Sequence, residues 1–148
     1  MTGASGRRLR VLFVCTGNSA RSQMAEAILR ARAGDDFEPF SAGVDPRGIN
    51  PLTLRVLQEA AISTDGLRSK SVAEMLERSF DYVITVCDRA RATCPVFPGG
   101  SFTLHWGVDD PAEAAGSDDE RQAAFDRALK DLAIRIHTFL PLVTGARA

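Results

Sequence analysis

Residues 9–33 constrain the fold more than any other segment of the sequence. An apolar run at residues 9–14 (LRVLFV) has the composition of a strand buried on both faces of a parallel sheet. Small and polar residues at 15–19 interrupt this run, and residues 20–33 are helix-forming, with one apolar face made by Met24, Ala25, Ile28 and Leu29. A buried strand, a tight loop and a helix in this order predict an α/β fold.

The rest of the chain continues the alternation. We predict further strands at residues 37–43, 82–86 and 101–106, and further helices at 51–60, 71–78 and from 118 onward. Together these segments predict a single domain, residues 9–144, built as an open sheet of about four parallel strands flanked by helices. We expect residues 1–8 to form a flexible N-terminal tail.

Three local signals support the predicted helix ends. Asn50 followed by Pro51 marks one helix start, and the capping-box pattern Ser71-Val-Ala-Glu74 marks another. Pro141 is expected to end or kink the last helix. That helix carries an apolar stripe made by Phe125, Leu129, Leu132, Ile136, Phe139 and Val143.

Composition limits the classes of function. The 148 residues are 45% hydrophobic and 25% charged with a net charge of −1, which offers no basic surface for nucleic acid or a membrane. No apolar run is long enough to cross a bilayer, and the first residues lack the apolar region of a secretion signal. Three cysteines without such a signal favour redox or metal chemistry over a disulfide scaffold, so we expect a cytoplasmic protein.

The loop between the first strand and helix has the features of an oxyanion site. Ligands of open α/β sheets bind beyond the carboxyl ends of strands, where amides at a helix N-terminus attract anions. Gly17 is expected to let the chain fold around the anion, and Arg21 offers a planar guanidinium to two of its oxygens. The same donors, with Ser22, would stabilise a thiolate on Cys15. The predicted oxyanion-binding residues are Thr16, Gly17, Asn18, Ser19, Ala20, Arg21 and Ser22. The alternative is that Cys15 is a small buried residue ending a strand.

Cys87 and Cys94 are seven positions apart, immediately after the strand at 82–86. A metal site would need closer pairs and a fourth ligand, and His105 and His137 show no ligand spacing, so no metal site is predicted. If residues 88–93 are helical, the two cysteines lie about 10 Å apart along the helix axis. A disulfide needs Cα atoms within about 7 Å, so a Cys87–Cys94 bond would require residues 88–97 to be remodelled. The alternative is that both are incidental buried thiols.

An acidic pair, Asp109 and Asp110, precedes Pro111. An acid beside an anion site can protonate a departing oxygen. Asp-Asp-Pro is also common in ordinary solvated turns, so both interpretations remain open at this point.

The Cys-x5-Arg-Ser pattern at Cys15–Ser22 resembles that of the low-molecular-weight protein tyrosine phosphatases. The longer string from Val11 to Glu26 is similar to that of the thioredoxin-coupled arsenate reductases built on the same fold, and the resemblance extends over about residues 10–143. It implies reduction of arsenate, with phosphate or sulfate as analogues, without an organic cofactor or metal. The implied catalytic residues are Cys15 as nucleophile, Arg21, Cys87 and Cys94 as resolving cysteines, and Asp110 as acid, with thioredoxin or a similar dithiol as reductant.

Two other functions use the same residues. The first is a phosphatase acting on tyrosine or small phosphate esters, and weak phosphatase activity is expected in either case. Phosphatases of this fold usually place an aromatic residue after the Asp-Pro pair, where this chain has Ala112. The second is a non-catalytic redox or oxyanion sensor that passes its state to a partner.

Some arsenate reductases of this type bind an alkali cation beneath the loop. Asn18, Glu26 and Ser41 match three of the ligand positions in that resemblance, and Lys70 stands at the fourth. Lys70 either pairs with Glu26 in place of the cation or is a solvated surface charge.

Overall fold

Four parallel strands form the central sheet of the computed structural model, which describes residues 7–147. They are β1 (Leu9–Cys15), β2 (Phe37–Gly43), β3 (Tyr82–Thr85) and β4 (Phe102–His105). The strand order across the sheet is β2-β1-β3-β4. The predicted α/β fold with about four parallel strands is therefore confirmed.

Four α-helices connect and cover the strands: α1 (Arg21–Ala33), α2 (Pro51–Glu59), α3 (Asp88–Thr93) and α4 (Asp118–Arg147). Short 3-10 helices occur at Val72–Met75 and Pro111–Glu113. Asn50 caps α2 as predicted, because its side-chain oxygen accepts a hydrogen bond of 2.9 Å from the Leu52 amide. Within residues 7–147, no helix is long and apolar enough to cross a membrane.

The strand order places β1 at a switch point of the topology. The chain leaves β1 through α1 to reach β2 on one side, and later returns to β3 on the other side of β1. Connections that diverge to opposite sides of a strand leave a crevice at its carboxyl end. Residues 16–20, which follow β1, lie at this crevice.

The core lies on both faces of β1, whose residues 11–15 are almost fully buried. The stripe predicted for α4 is confirmed, since all six of its members are buried. The single apolar face predicted for α1 is incomplete, because eight consecutive residues, 22–29, are buried. The first turns of this helix are enclosed because α1 packs against β2, α2 and α4.

The helix predicted at residues 71–78 is wrong in length. Only Val72–Met75 is helical, as a single 3-10 turn. Glu74 does not complete the capping box, because its carboxylate accepts a 2.7 Å hydrogen bond from the Arg68 guanidinium. The preceding chain is also held extended by a bridge between Gly43 and Ser71.

Pro141 does not end α4, which continues to Arg147. Proline removes one backbone donor from a helix, but the buried stripe extends past this position. Phe139 and Val143, on either side of the proline, are only 5% and 6% exposed. Burial of these apolar side chains therefore favours continuation of the helix.

Part of the predicted N-terminal tail, residues 1–6, lies outside the described residues. At its end, the Arg7 guanidinium contacts the Asp81 carboxylate at 2.8 Å. The domain limits of 9–144 remain a prediction.

Leu132→Ala should lower the free energy of unfolding by about 2–5 kcal/mol, because Leu132 is fully buried and the substitution leaves a cavity. Ile134→Ala in the same helix is the matched control, since Ile134 is 67% exposed. Urea unfolding of both variants measures the difference. Equal losses of stability would contradict the packing of α4 described above.

Candidate active site

The loop at residues 16–20 is held from behind by the segment that follows β2. Three loop carbonyls accept hydrogen bonds from amides of that segment: Thr16 from Asp45 (2.8 Å), Gly17 from Arg47 (2.9 Å) and Ser19 from Asn50 (3.1 Å). The carbonyl of Cys15, at the end of β1, accepts from Val44 at 3.1 Å. No backbone amide of residues 16–20 donates to another group within residues 7–147. The loop therefore turns its carbonyls toward the protein and keeps its donors for an anion.

Asn18 makes the sharp turn in this loop. It has a left-handed φ of 46° and is fully buried. Its side-chain oxygen accepts hydrogen bonds of 2.9 Å from the Gln23 amide and from the Lys70 backbone amide, which offset the conformational cost.

Gly17 does not adopt a positive φ, and a Cβ there would meet only ordinary contacts at 3.6 Å within the protein. That Gly17 lets the chain fold around an anion stays a prediction. The glycine that the loop requires is Gly43. A Cβ at Gly43 would lie 2.7 Å from the Thr16 carbonyl oxygen.

Cys15 ends β1 directly below the loop and is 2% exposed. Its Sγ lies 2.7 Å from the Ser22 hydroxyl. The Ser22 oxygen also accepts a 2.8 Å hydrogen bond from the Asn18 side-chain amide, which leaves its own hydrogen free to point at the sulfur. Ser22 thus lies within hydrogen-bond distance of the Cys15 sulfur, and its donation to a thiolate stays a prediction.

Cys87 lies beside the same loop. β3 pairs with β1 in register, with Val14 opposite Thr85, so both strands bring a cysteine to the same edge of the sheet. Cys87 Sγ is 3.2 Å from the Thr16 hydroxyl. It also caps α3, since it accepts a 3.4 Å hydrogen bond from the Ala90 amide.

Arg21 and Asp110 meet across the opening of the loop. The Arg21 side chain is 11% exposed, and its guanidinium lies 3.6 Å from the Asp110 carboxylate. It also donates a 3.0 Å hydrogen bond to the Val108 carbonyl, which fixes its orientation. Asp110 caps the short helix Pro111–Glu113 by accepting from the Ala112 amide at 3.0 Å. Asp109 is exposed beside it.

These groups line one cavity of about 530 Å³. Its lining contains Cys15, Cys87, three arginines and three acidic side chains, and none of the lining residues is aromatic. The arginines are Arg21, Arg47 and Arg89, and the acids are Asp109, Asp110 and Glu113. Such a cavity suits a small oxyanion held by backbone amides and a guanidinium.

Cys94 lies apart from this cavity, at the far end of α3. It is half-buried and lines a neighbouring cavity of about 460 Å³ together with His105 and residues of β3 and β4. Burial raises the pKa of the Cys94 thiol. The structure therefore brings Cys15, Cys87, Arg21 and Asp110 together and leaves Cys94 on the other side of one short helix.

A buried charge cluster lies under the loop. The Lys70 side chain is 8% exposed, and its Nζ lies 3.7 Å from the Glu26 carboxylate, 3.4 Å from the Ser41 hydroxyl and 2.9 Å from the Arg68 carbonyl. Burial lowers the pKa of Lys70 from its ordinary value, and the Glu26 carboxylate opposes this shift. The alternative that Lys70 is a solvated surface charge is therefore wrong.

Four residues that contact the loop or Arg21 were not predicted from the sequence. Thr53 and Ser69 donate side-chain hydrogen bonds of 2.8 Å and 3.2 Å to loop carbonyls, at Ser19 and Gly17. Gly43 and Val108 reach the site through close backbone contact. All four are distant in sequence from the loop, and no local pattern marks them.

Comparison with known proteins adds to this geometry. A family model described as low molecular weight phosphotyrosine protein phosphatase matches residues 10–143. An arsenate reductase from Halalkalibacterium halodurans is 39% identical over 129 residues, which cover 87% of this chain and 93% of that protein.

Solved structures agree with this relationship. A thioredoxin-dependent arsenate reductase from Corynebacterium glutamicum is 31% identical with a TM-score of 0.65, over 91% of this chain and 65% of that chain. A low molecular weight protein tyrosine phosphatase from T. tengcongensis is 29% identical with a TM-score of 0.71, over 89% and 97% of the two chains. The resemblance inferred from the sequence is thus confirmed, and the chain belongs to the low molecular weight phosphotyrosine protein phosphatase family, among relatives that include arsenate reductases.

Proposed function

We propose that this protein is a cytoplasmic arsenate reductase, active in arsenic detoxification, that uses a three-cysteine relay regenerated by thioredoxin or a similar dithiol. The observation that carries the proposal is the position of Cys87, which lies at the same oxyanion pocket as Cys15 and 3.2 Å from a loop hydroxyl. A second thiol at this position has a use in a redox reaction and none in phosphate ester hydrolysis. The curated relatives named arsenate reductase support the same conclusion.

In the first step, arsenate binds to the amides of residues 16–21 and to the Arg21 guanidinium. The Cys15 thiolate attacks arsenic and an arsenic–oxygen bond breaks. Asp110 donates a proton to the departing oxygen, which leaves as water. The 3.6 Å contact between Arg21 and Asp110 places the acid next to the group that orients the anion.

In the second step, Cys87 attacks the sulfur of Cys15. A sulfur–sulfur bond forms, the sulfur–arsenic bond breaks, and its electron pair stays on arsenic, which leaves as arsenite. The two electrons come from the thiols of Cys15 and Cys87. Cys94 then attacks Cys87, Cys15 leaves as a thiolate, and the oxidation is held as a Cys87–Cys94 disulfide that the external dithiol reduces.

A phosphatase is the second candidate function, because phosphate and arsenate are both tetrahedral oxyanions and the family includes phosphatases. The cavity has no aromatic wall for a phenyl ring among its lining residues, all of which lie within residues 7–147. We therefore propose weak phosphatase activity on small esters beside the main reaction.

Lys70 takes the place of an alkali cation in this proposal. The residues present do not fit such a cation, because the Lys70 ammonium already contacts the oxygens of Ser41 and Glu26. Its backbone amide also binds the Asn18 side chain at 2.9 Å, so the same residue supports the turn of the loop.

Replacing Ser22 tests the activation of Cys15. Ser22→Ala should slow alkylation of Cys15 by iodoacetamide at neutral pH about tenfold, because the thiolate loses a charge-assisted hydrogen bond. The rate is measured on the Cys15 peptide by mass spectrometry. Ser79→Ala, at an exposed serine before β3, is the matched control and should leave the rate unchanged. An unchanged rate in Ser22→Ala would contradict the proposed role.

The relay is tested by arsenate-dependent oxidation of NADPH through thioredoxin reductase and thioredoxin. Cys15→Ser, Cys87→Ser and Cys94→Ser should each abolish turnover. Cys94→Ser should still release one equivalent of arsenite and stop as a Cys15–Cys87 disulfide, because its first two steps remain possible.

Hydrolysis of p-nitrophenyl phosphate is the control for folding of these variants. It should persist in Cys87→Ser and Cys94→Ser and disappear in Cys15→Ser. Sustained arsenate reduction by Cys87→Ser or Cys94→Ser would refute the three-cysteine relay. Hydrolysis of p-nitrophenyl phosphate by a wild-type protein that does not reduce arsenate would instead make a phosphatase the better description. Regeneration by dithiothreitol but not by thioredoxin would refute only the choice of reductant.

Potassium should have little effect on this protein. The melting temperature and the initial rate are expected to be the same in potassium chloride and sodium chloride of equal ionic strength, because Lys70 supplies the positive charge. A potassium-specific rise in melting temperature, absent with sodium, would contradict the role given to Lys70. Lys70→Met should lower the melting temperature in both salts, since it leaves the buried Glu26 carboxylate without this cation.

A further inference from the structure

α3 is an obstacle to the last internal step of the proposed relay. It occupies Asp88–Thr93, so Cys87 and Cys94 lie immediately before and after a formed helix. Sulfurs at these positions are too far apart to bond while the helix persists. The rate of the step therefore depends on what holds α3 in place.

One of the restraints on α3 is lost on oxidation. The Cys87 sulfur caps the helix by accepting from the Ala90 amide at 3.4 Å. Bonding of Cys87 to Cys15 turns this sulfur toward its new partner and engages it in a disulfide, so the cap on α3 weakens. The first turn then depends more on its remaining contacts with the sheet.

His105, at the end of β4, makes a side-chain contact from the sheet to the first turn of α3. Its Nε2 lies 3.1 Å from the carboxylate of Asp88, the first residue of α3. Its Nδ1 lies 2.8 Å from the hydroxyl of Thr85 on β3. A neutral ring satisfies both contacts if Nε2–H donates to Asp88 and the Thr85 hydroxyl donates to Nδ1. A protonated ring adds an ion pair to the first of these contacts.

We propose that His105 is a positioning residue that holds α3 through Asp88 and thereby sets the rate at which oxidation passes from Cys87 to Cys94. This inference rests on the proposed function. In the step concerned, the Cys94 thiolate attacks Cys87, the Cys87–Cys94 bond forms, the Cys15–Cys87 bond breaks, and Cys15 leaves as a thiolate. The proton of Cys94 passes to solvent and the number of electrons is unchanged.

Charged and titratable groups near His105 also affect the transfer rate, and the experiment has to separate their contribution from that of His105. Asp88 faces it from α3, while Arg91 and the Cys94 thiol line the same cavity. Loss of the Cys94 proton affects the step in any variant that retains Cys94. The ratio of variant to wild-type rates therefore removes the pH dependence that Cys94 contributes equally to both proteins. The Asp88 side chain is 96% exposed, so the ratio should be modest, about twofold to fivefold.

The transfer step is measured by mixing the reduced full-length protein with arsenate, quenching with an alkylating reagent, and following the two disulfides by mass spectrometry. His105→Ala should speed the conversion of Cys15–Cys87 to Cys87–Cys94 at every pH. His105→Gln keeps a neutral donor to Asp88 but cannot form the ion pair of a protonated ring, so its rate should exceed that of wild type more at low pH than at high pH. Asp88→Asn should behave like His105→Gln and add nothing to it.

His137→Gln, on the exposed face of α4, is the matched control and should equal wild type at both pH values. Transfer rates in His105→Ala and His105→Gln that equal wild type throughout would overturn the inference. A ratio of the His105→Gln rate to the wild-type rate that does not change with pH would also overturn the inference, because a purely structural effect of the substitution would give such a constant ratio.

Amide hydrogen exchange of residues 88–93 in the reduced protein separates this inference from the proposed function. Exchange in His105→Ala should be faster than in wild type at the same pH, measured without arsenate so that both proteins stay reduced. If arsenate forms no disulfide in wild type, both the proposed function and the effect of His105 on the transfer rate are refuted. Faster exchange in His105→Ala would in that case still show that His105 restrains α3. Unchanged exchange overturns the restraint itself.

Discussion

Hydrogen bonds from the backbone of residues 44–50 to the carbonyls of the loop after β1 are the contacts on which the site depends. They turn the loop carbonyls toward the protein, so its amides face the cavity. Asn18 accepts a left-handed conformation to complete the turn, and its side chain ties the loop to Gln23 and Lys70. Gly43 makes this close approach possible, because any larger residue there would meet the Thr16 carbonyl.

The sheet places two of the three thiols at the loop and the third farther away. β1 and β3 are neighbours in register, and each delivers a cysteine to the same edge. The Cys15 sulfur lies at the base of the anion loop and the Cys87 sulfur lies beside it, whereas Cys94 is separated from both by α3. The family comparison alone is compatible with hydrolysis or reduction, and this arrangement of thiols is what favours reduction.

Buried charge supports the loop from below. Glu26 is held by Ser41 at 2.6 Å and by Arg30 at 2.7 Å, and Lys70 completes the cluster. Removing one member of a buried charge cluster is costly, because the remaining charge loses its partner in a medium of low polarity. The position of the loop is thus linked to a set of charges that do not themselves line the cavity above it.

The sequence by itself determined the order of the four strands, the buried stripe of α4 and the position of the loop between β1 and α1, because these depend on residue periodicity and on neighbours within one turn. Local rules overestimated the helix after Ser71, where Glu74 pairs with Arg68, and α4 does not end at Pro141, where the apolar core continues past the proline. Only the tertiary structure decided which residue turns the loop, which glycine lies behind it, and that Lys70 is buried. Each of these depends on segments distant in sequence meeting at the carboxyl ends of β1 and β2, a contact that no local pattern encodes.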